Sequence, residues 1–459
     1  MADTERPLTT DPTFWGLLIT QFLGAFNDNV FKFLVMFLCT DRAKANPLDD
    51  WQGYALIAFA SPFVLFSGVC GYLADRYSKT RIIVLSKVLE IAVMSAGLLV
   101  FWLTEPSKLQ LRLLIGVLFL MGSHSAFFGP SKYGILPELY AKHRLPGING
   151  VFLMTTFVAI IGGAAAAGAL KDALPNLMWS QGMCVLIAIV GTLTALPIRL
   201  LPPAQPQLQF NPSAMFLDPE TRTALRQQPN LWTALIYSSV FWFVGGVFQP
   251  AVNAIGKLQY RLSDTATGQL AATTAIGIAV GSVLAGKLSR SHFRAGLVRI
   301  AAVGMMLCLG LLALPGEPLQ SLTLSSVPLT TPESTAISTQ DDAAAGHNLH
   351  LPFVSLTGAG LLLTGAGLFA GLFAVPLQVY LQAMSPTHLK GRMLGAMNLI
   401  NWIGIVIAGA FYKFGNPVLI HLGASPNAIF GAIAVVILIA AIRFPMQDES
   451  LDAPPLAEG

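Results

Sequence analysis

Near the middle of the first apolar segment of this chain stand Asn27, Asp28 and Asn29, with Lys32 one helical turn beyond Asp28. Gln21, Asp28 and Lys32 fall at i, i+7 and i+11, which puts all three on one face of a helix. Asp28 and Lys32 are also at i, i+4, the spacing at which opposite charges on a helix partly neutralise each other. Two readings compete. A self-paired couple would sit at a helix–helix contact, whereas a polar stripe would line a cavity and offer Asp28 to an ammonium group or a coupling cation. The stripe is preferred, because so many adjacent polar positions exceed what helix packing requires. Lys87 and Glu90, in the third apolar segment, form a second potential pair at i, i+3. Glu90 is a cavity candidate there, with Lys87 either its partner or snorkelling to the surface. In the carboxyl half the buried candidates are uncharged: Gln249, Asn253, Gln378 and Gln382, then Asn398 and Asn401 beside Trp402. Charge thus confined to one wall, facing an apolar aromatic one, suits an amphipathic ligand better than a sugar or a small ion.

What makes these residues conspicuous is the medium the rest of the chain demands. Of 459 residues only 11% are charged, against about 25% in soluble proteins. The mean hydropathy is +0.65, and apolar runs of about 18–25 residues match the thickness of a bilayer core. A soluble enzyme and a disordered scaffold are excluded, and no nucleic-acid partner is expected. Each ionisable group inside such a run costs about 2.5–3.5 kcal/mol on insertion, so each is a functional candidate by default. Cys39, Cys70, Cys184 and Cys308 lie in or beside apolar runs without paired spacing, and read as small hydrophobes rather than disulfides or metal ligands. The polar, partly acidic first twelve residues do not read as a cleavable signal, so the first apolar segment is expected to stay as a span.

Hydropathy and turn residues divide the chain into twelve spans, at roughly 13–40, 52–74, 81–104, 111–131, 149–170, 177–198, 229–255, 266–288, 294–315, 353–383, 390–413 and 424–444. About 17 of the 27 basic residues fall in the tails and the even-numbered loops, and about 8 on the other side, so both termini are expected in the cytoplasm. The chain also repeats itself. Gly71-Tyr72-Leu73 resembles Gly286-Lys287-Leu288, and Pro130 with Tyr133 resembles Pro376 with Tyr380. The two offsets differ in a way that requires an insertion, and residues 316–352 supply one: Ser/Thr/Pro-rich, acidic and without Lys or Arg. This segment is expected to be a disordered outer loop; His347 and His350 within it lack companions for a metal site. The expected organisation is an all-α integral membrane protein. A six-helix bundle over 1–198 is followed by a cytoplasmic linker over 199–228, a second six-helix bundle over 229–444 and a tail over 445–459. Two six-helix pseudo-repeats in this order are the layout of the major facilitator fold.

Between the second and third spans, Gly71-Tyr72-Leu73-Ala74-Asp75-Arg76-Tyr77-Ser78-Lys79-Thr80-Arg81 resembles the signature loop of the major facilitator superfamily. The resemblance implies that Gly71 permits close packing and that Asp75, Arg76 and Arg81 latch the two halves on the cytoplasmic side. The copy from Gly286 to Arg294 lacks the acid, so one strong latch is expected. Arg112 and Gly116 are similar to a weaker pattern of the fourth span. Gly281 to Lys287 nearly spells a phosphate-binding loop, but Leu288 stands where a Ser or Thr would hold magnesium, and no strand precedes it. Neither ATP nor any other cofactor is implied.

Two stretches narrow the resemblance. Gln21-Phe22-Leu23-Gly24-Ala25-Phe26-Asn27-Asp28-Asn29-Val30-Phe31-Lys32 resembles the first span of the bacterial lysophospholipid transporters. Phe127-Phe128-Gly129-Pro130-Ser131-Lys132-Tyr133-Gly134-Ile135-Leu136-Pro137-Glu138 is similar to that family's exit from the fourth. The likeness covers most of 14–198 and is loose beyond it. It implies movement of lysophosphatidylethanolamine, and of related lysolipids, from the outer to the inner leaflet of the cytoplasmic membrane by a non-enzymatic protein. Asp28 would meet the ammonium; Lys32, Lys87 or Lys132, with Tyr133 beside it, would meet the phosphate; and Phe241, Trp242 and Phe243 would lie along the acyl chain. No His-x-x-x-x-Asp occurs in the chain, so an acyltransferase partner is expected to be a separate protein, and the fold is expected to act as a monomer. The alternatives are a proton- or sodium-coupled exporter of another amphiphile, such as a drug or siderophore, and, less favoured, an integral-membrane lipid enzyme.

Overall fold

A computed structural model describes residues 7–140, 144–174, 176–209, 217, 219–289, 292–314, 356–386 and 390–450. The expectations for the 316–352 insertion, for His347 and His350, and for the end of the tail lie outside the described residues. The chain is helical nearly throughout: α1 (Pro12–Ala45), α2 (Gln52–Arg76), α3 (Lys79–Leu103), α4 (Lys108–Gly134), α5 (Leu136–Leu139), α6 (Leu145–Ala173), α7 (Leu177–Ala195), α8 (Pro219–Gln227), α9 (Pro229–Ala254), α10 (Asp264–Ser289), α11 (Ala295–Leu312), α12 (Leu356–Met384), α13 (Lys390–His421) and α14 (Ala428–Ile442). In hydrocarbon every backbone N–H and C=O must bond within the chain, which a helix achieves by itself. Among the described residues eleven helices are long and apolar enough to span, and α14 is a shorter apolar twelfth. Expected and observed ends agree within a few residues except at α13. That helix continues beyond 413 to His421, with Pro417 inside it; a proline so near a helix end removes one backbone bond without stopping the run.

Helix ends are set by local chemistry. Asp11 accepts from the Thr13 N–H and Ser107 from the Gln110 N–H, capping α1 and α4. Prolines open α1, α8 and α9, where the missing N–H costs nothing. The helices are apolar nearly all round, one side meeting protein and the other lipid, so Trp102, Leu361 and Ile442 stay largely exposed on the bundle surface.

Packing sorts the long helices into two groups. In the first, α1 lies against α6 and α7, α2 against α4, and α3 against α4 and α7; in the second, α9 lies against α13, α10 and α11 against α12, and α11 against α14. Contacts between the groups run through α2 with α13, α6 with α10 and α1 with α9. Lipid gives no hydrophobic drive for helices to associate, so close backbone approach at small residues does the work. A Cβ at Gly277 would overlap the Thr364 carbonyl and one at Gly281 the Leu368 carbonyl, while Gly367 and Gly371 of α12 press on Thr274 and Ile278 in return. The groups themselves meet in the same way: a Cβ at Gly53 would lie 2.6 Å from the Gly409 carbonyl, and one at Gly168 would overlap that of Asp264.

The end of the chain ties down the second group. Residues Glu449–Ser450 (β2) pair antiparallel with His292–Phe293 (β1). Asp448 accepts from the Ala295 N–H at 2.7 Å, and the Tyr380 hydroxyl donates to Glu449 at 2.9 Å.

Gly281→Val forces α10 from α12 and is expected to lower stability by about 1–3 kcal/mol or more. Gly286→Val, where an added Cβ meets nothing, is expected to cost no more than about 1 kcal/mol. Thermal melting of the purified protein in detergent checks the contrast.

Candidate functional site

The ionisable residues inside the first helix group converge from α1, α3 and α4. Lys87 and Glu90 pair within α3, and both are almost wholly buried. Asn27 donates to the other Glu90 oxygen at 2.8 Å, tying α1 to α3. Room for the Lys87 ammonium comes from two glycines on neighbouring helices: a Cβ at Gly24 would lie 2.9 Å from its Nζ, and one at Gly191 lies 3.0 Å from its Cε. Lys87 therefore does not snorkel. A fully enclosed carboxylate partner outweighs the gain from reaching water.

Asp28 and Lys32 depart from their expected pairing. Lys32 donates to Asn29 at 2.9 Å and lies over the Phe33 and Phe59 rings at 5.1 and 5.3 Å. Asp28 turns to α4, where Ser125 donates to its Oδ2 at 2.5 Å and His124 Nε2 stands 3.8 Å from its Oδ1. The two side chains leave a shared helical face in different directions because each finds a closer partner off it. Gln21, on the same face, is consumed by packing: it donates to Thr155 at 2.6 Å and accepts from Thr156 at 3.0 Å on α6. Lys132 is half-buried with its Nζ over the Tyr133 ring at 4.8 Å, and Tyr133 itself is exposed.

Residues expected on the opposite wall divide. Asn401 accepts from Ser238 at 3.0 Å and joins α13 to α9; Asn253 donates to Gln52 at 2.9 Å and joins α9 to α2. Gln249 and Gln378 are half-buried, whereas Gln382 and Asn398 are exposed. Trp402 crosses to the first group, its ring stacked on Phe63 at 3.7 Å between centroids. Trp242 faces outward and Phe243 packs on Phe411, so the aromatic surface nearest the charged cluster is Phe59, Phe63 and Trp402, not the 241–243 run.

The expectation that charge is confined to the amino-terminal half is overturned at the bundle end opposite the α2–α3 loop. Lys257, in a π-helical turn after α9, pairs with Asp264 of α10 and, at 2.6 Å, with Asp41 of α1. Lys171 of α6 pairs with the same two carboxylates. Asp172 accepts the backbone N–H groups of Asp264 at 3.3 Å and Thr265 at 2.6 Å, capping α10 from the other helix group. Asp50 and Gln52, with Tyr412 donating to Asp50 at 2.7 Å, form a second buried contact between the groups at that end.

Among the described residues the α2–α3 loop makes no ion pair across the two groups. Asp75 faces Lys79 at 3.8 Å, Lys79 pairs with Glu138 at 2.6 Å, and all three belong to the first group. Arg76 bonds Tyr72 and, at 3.2 Å, the Leu208 carbonyl; Arg81 is exposed; and an added Cβ at Gly71 would meet nothing. Partners in the first group and the linker take up the charges of Lys79 and Arg76, while the opposite end holds the groups together.

Sequence reasoning missed His124, Ser125, Asp41, Lys171, Asp172, Lys257 and Asp264. A histidine in mid-span was itself the signal for His124. Ser125 is an uncharged hydroxyl within α4 that nothing in the pattern marks; the charged others stand at helix ends, where charges usually reach for water, and only tertiary contact distinguishes a gate from a rim. Among the described residues no cluster of His, Cys, Asp or Glu could hold a metal.

Glu90→Gln or Lys87→Met alone strands a buried charge and is expected to cost about 3–5 kcal/mol. The double variant Lys87→Met/Glu90→Leu is expected to lose far less than the sum, and chemical denaturation of all three in detergent checks this. Lys171→Ala with Asp172→Ala removes the Lys171–Asp264 pair across the groups and the cap of α10. Amide hydrogen exchange over 264–267 is expected to rise by on the order of tenfold, read by mass spectrometry.

Comparison with known proteins places this geometry among membrane transporters. The chain is 27% identical to a protein named lysophospholipid transporter LplT from Serratia proteamaculans, over 61% of this chain and 66% of that protein. It is 28% identical to the LplT of an Escherichia coli strain (61% and 68%) and 29% identical to that of Salmonella gallinarum (62% and 69%). The match thus spans about two thirds of each relative. A crystal structure of the peptide transporter POT in complex with sulfate superposes with a TM-score of 0.61 at 14% identity, covering 97% of this chain and 99% of that one, a likeness of fold. The model of the Major Facilitator Superfamily matches residues 17–409, and the chain belongs to that superfamily.

Proposed function

We propose that this chain moves a lysophospholipid of the lysophosphatidylethanolamine kind from the outer to the inner leaflet of a bacterial cytoplasmic membrane by alternating access. The observation that carries the reading is a pair of opposite charges in α1, Asp28 and Lys32, each buried and neither neutralised by the other. A zwitterionic head group needs an anion for its ammonium and a cation for its phosphate. The Asp28 Oδ1 has no hydrogen-bond partner and is available to the first. Lys32, with Asn29 as its hydrogen-bond acceptor, is available to the second, with Lys132 nearer the membrane surface. Glu90 and Lys87 saturate each other and act as positioning residues for Asn27. The single acyl chain lies along Phe59, Phe63 and Trp402, where the two helix groups meet. The names of the LplT relatives support the substrate class.

The excess of basic residues in the tails and even-numbered loops puts the α2–α3 loop in the cytoplasm. The ion pairs of Asp41, Lys171, Lys257 and Asp264 then close the outer face, and the described conformation is inward-facing. In the cycle residues 1–198 and 229–444 rock about the site, with 199–228 as the linker, and Asp75, Arg76 and Arg81 exchange their local partners for partners across the groups when the outer face opens. The transporter works as a monomer and hands its product to a separate acyltransferase.

Reconstituted vesicles carrying a fluorescent lysophosphatidylethanolamine are expected to transfer it between leaflets faster than protein-free vesicles. Asp28→Asn is expected to reduce the protein-dependent rate by at least about tenfold, with unchanged elution in gel filtration. Transfer no faster than in protein-free vesicles, from folded protein, would overturn the substrate assignment and favour another amphiphile.

A further inference from the structure

Three buried polar atoms in the first helix group have no hydrogen-bond partner although they lie together: Asp28 Oδ1, Asn27 Oδ1 and His124 Nε2. Two of them, Asp28 Oδ1 and His124 Nε2, face each other across 3.8 Å between α1 and α4. An unpartnered buried oxygen or nitrogen costs about 1–3 kcal/mol, and native proteins retain such groups where something else binds. His124 is 5% exposed and Asp28 9%, so neither is discharged by bulk water in this conformation.

The cluster selects its ligand by charge and by atom type. Lys87 pairs with Glu90, and Lys32 and Asp28 carry opposite charges on the same helix, so with a neutral His124 these five side chains have no net charge. A metal cation would enter between two ammonium groups and would have to accept an imidazole nitrogen as a ligand, a poor donor for an alkali ion. A proton needs only the lone pairs that Asp28 Oδ1 and His124 Nε2 turn towards each other. We infer that His124 and Asp28 form a proton-binding site between α1 and α4.

On binding, hydronium gives its proton to Asp28 Oδ1, whose burial favours the neutral acid, and leaves as water; one O–H bond forms, one O–H bond breaks, and the cluster gains a single positive charge. The new O–H points at the neutral His124 Nε2, 3.8 Å away, and satisfies both atoms, which a shift of about 1 Å brings within hydrogen-bond distance. Groups facing the pair from the packed elements are Asp28 and Lys32 of α1, Lys87 and Glu90 of α3, Lys132 of α4 and the Cys184 thiol of α7. The span of α2 between Gln52 and Ala74 contains no acid, base or histidine. Occupancy by a proton takes Asp28 away from a substrate ammonium, so proton and lysophospholipid compete for one carboxylate oxygen. That last link rests on the proposed substrate class; the proton site itself does not.

The test has two readouts. Infrared difference spectra of the protein in vesicles, between about pH 6 and about pH 8, are expected to contain an imidazole band lost in His124→Gln and a carboxylate band lost in Asp28→Asn. The rate of lysophosphatidylethanolamine transfer is expected to change at least about fivefold over the same range in the native protein and less than about twofold in His124→Gln. Both variants are first checked for native elution and melting. Difference spectra identical in native protein and in both variants would overturn the proton site whatever the transport rate. A rate that responded to sodium and not to pH would overturn it as well. His124-dependent bands in a protein that moves no lysophospholipid would leave the proton site standing and remove the substrate assignment alone.

Discussion

Every charge inside a bilayer must find its counter-charge or hydrogen bond within the protein, because the surrounding lipid offers none. That constraint organises this molecule more than apolar packing does. Lys87 and Glu90 meet it completely, with Asn27 filling the remaining carboxylate oxygen and two glycines giving the space. Asp28 meets it by half, through Ser125 on one oxygen only. The difference separates scaffold from site within a single cluster. A saturated pair can only hold α1 against α3, whereas a half-saturated carboxylate retains affinity for something else.

The same constraint explains how two helix groups with little hydrophobic drive to associate are held at one end. Lys171 and Lys257 each touch both Asp41 and Asp264, so four side chains from four elements share one charge-balanced knot. Around it, Gly53, Gly168 and Gly409 bring the backbones close enough that dispersion adds to the electrostatic hold. Alternation between two states requires such a contact to be strong when made and replaceable when broken. Ion pairs at a bundle end satisfy this, since water rehydrates the charges as they part.

Much of this architecture is legible in the sequence because hydropathy and proline or glycine punctuation are local. The helix ends follow from them within a few residues, and the exception, α13, is a helix that ignores a proline near its end. Asn27, Lys87 and Glu90 were also identifiable, since a charge in mid-span announces itself. What the sequence hid is direction. The i, i+4 spacing of Asp28 and Lys32 suggested a mutual pair, yet Ser125, His124 and Asn29 offer better partners, and the two contacts to α4 cannot be read from periodicity on one helix. The knot of Asp41, Lys171, Lys257 and Asp264 was hidden for a related reason: each residue stands at or near a helix end, where charge is ordinary. The signature loop misled in the opposite way, because its pattern names a contact that this conformation does not make.

The distribution of polar groups between the helix groups sets how the two must share the work. The amino-terminal helices hold the unsaturated charge, so the head-group site proposed above would travel as a unit with α1, α3 and α4. The carboxyl-terminal helices contribute Trp402 and hydrogen bonds that close on helix neighbours, as Asn401 does on Ser238. Nothing in that arrangement requires the second group to recognise a polar ligand. A stacked ring at 3.7 Å slides at small cost compared with a buried ion pair, so Phe63 against Trp402 forms a contact that an inserted alkyl chain can replace without stranding any charge. Under the function proposed above, an asymmetric arrangement of this kind would grip one end of an amphiphile and leave the other free to follow the interface between the groups as they move.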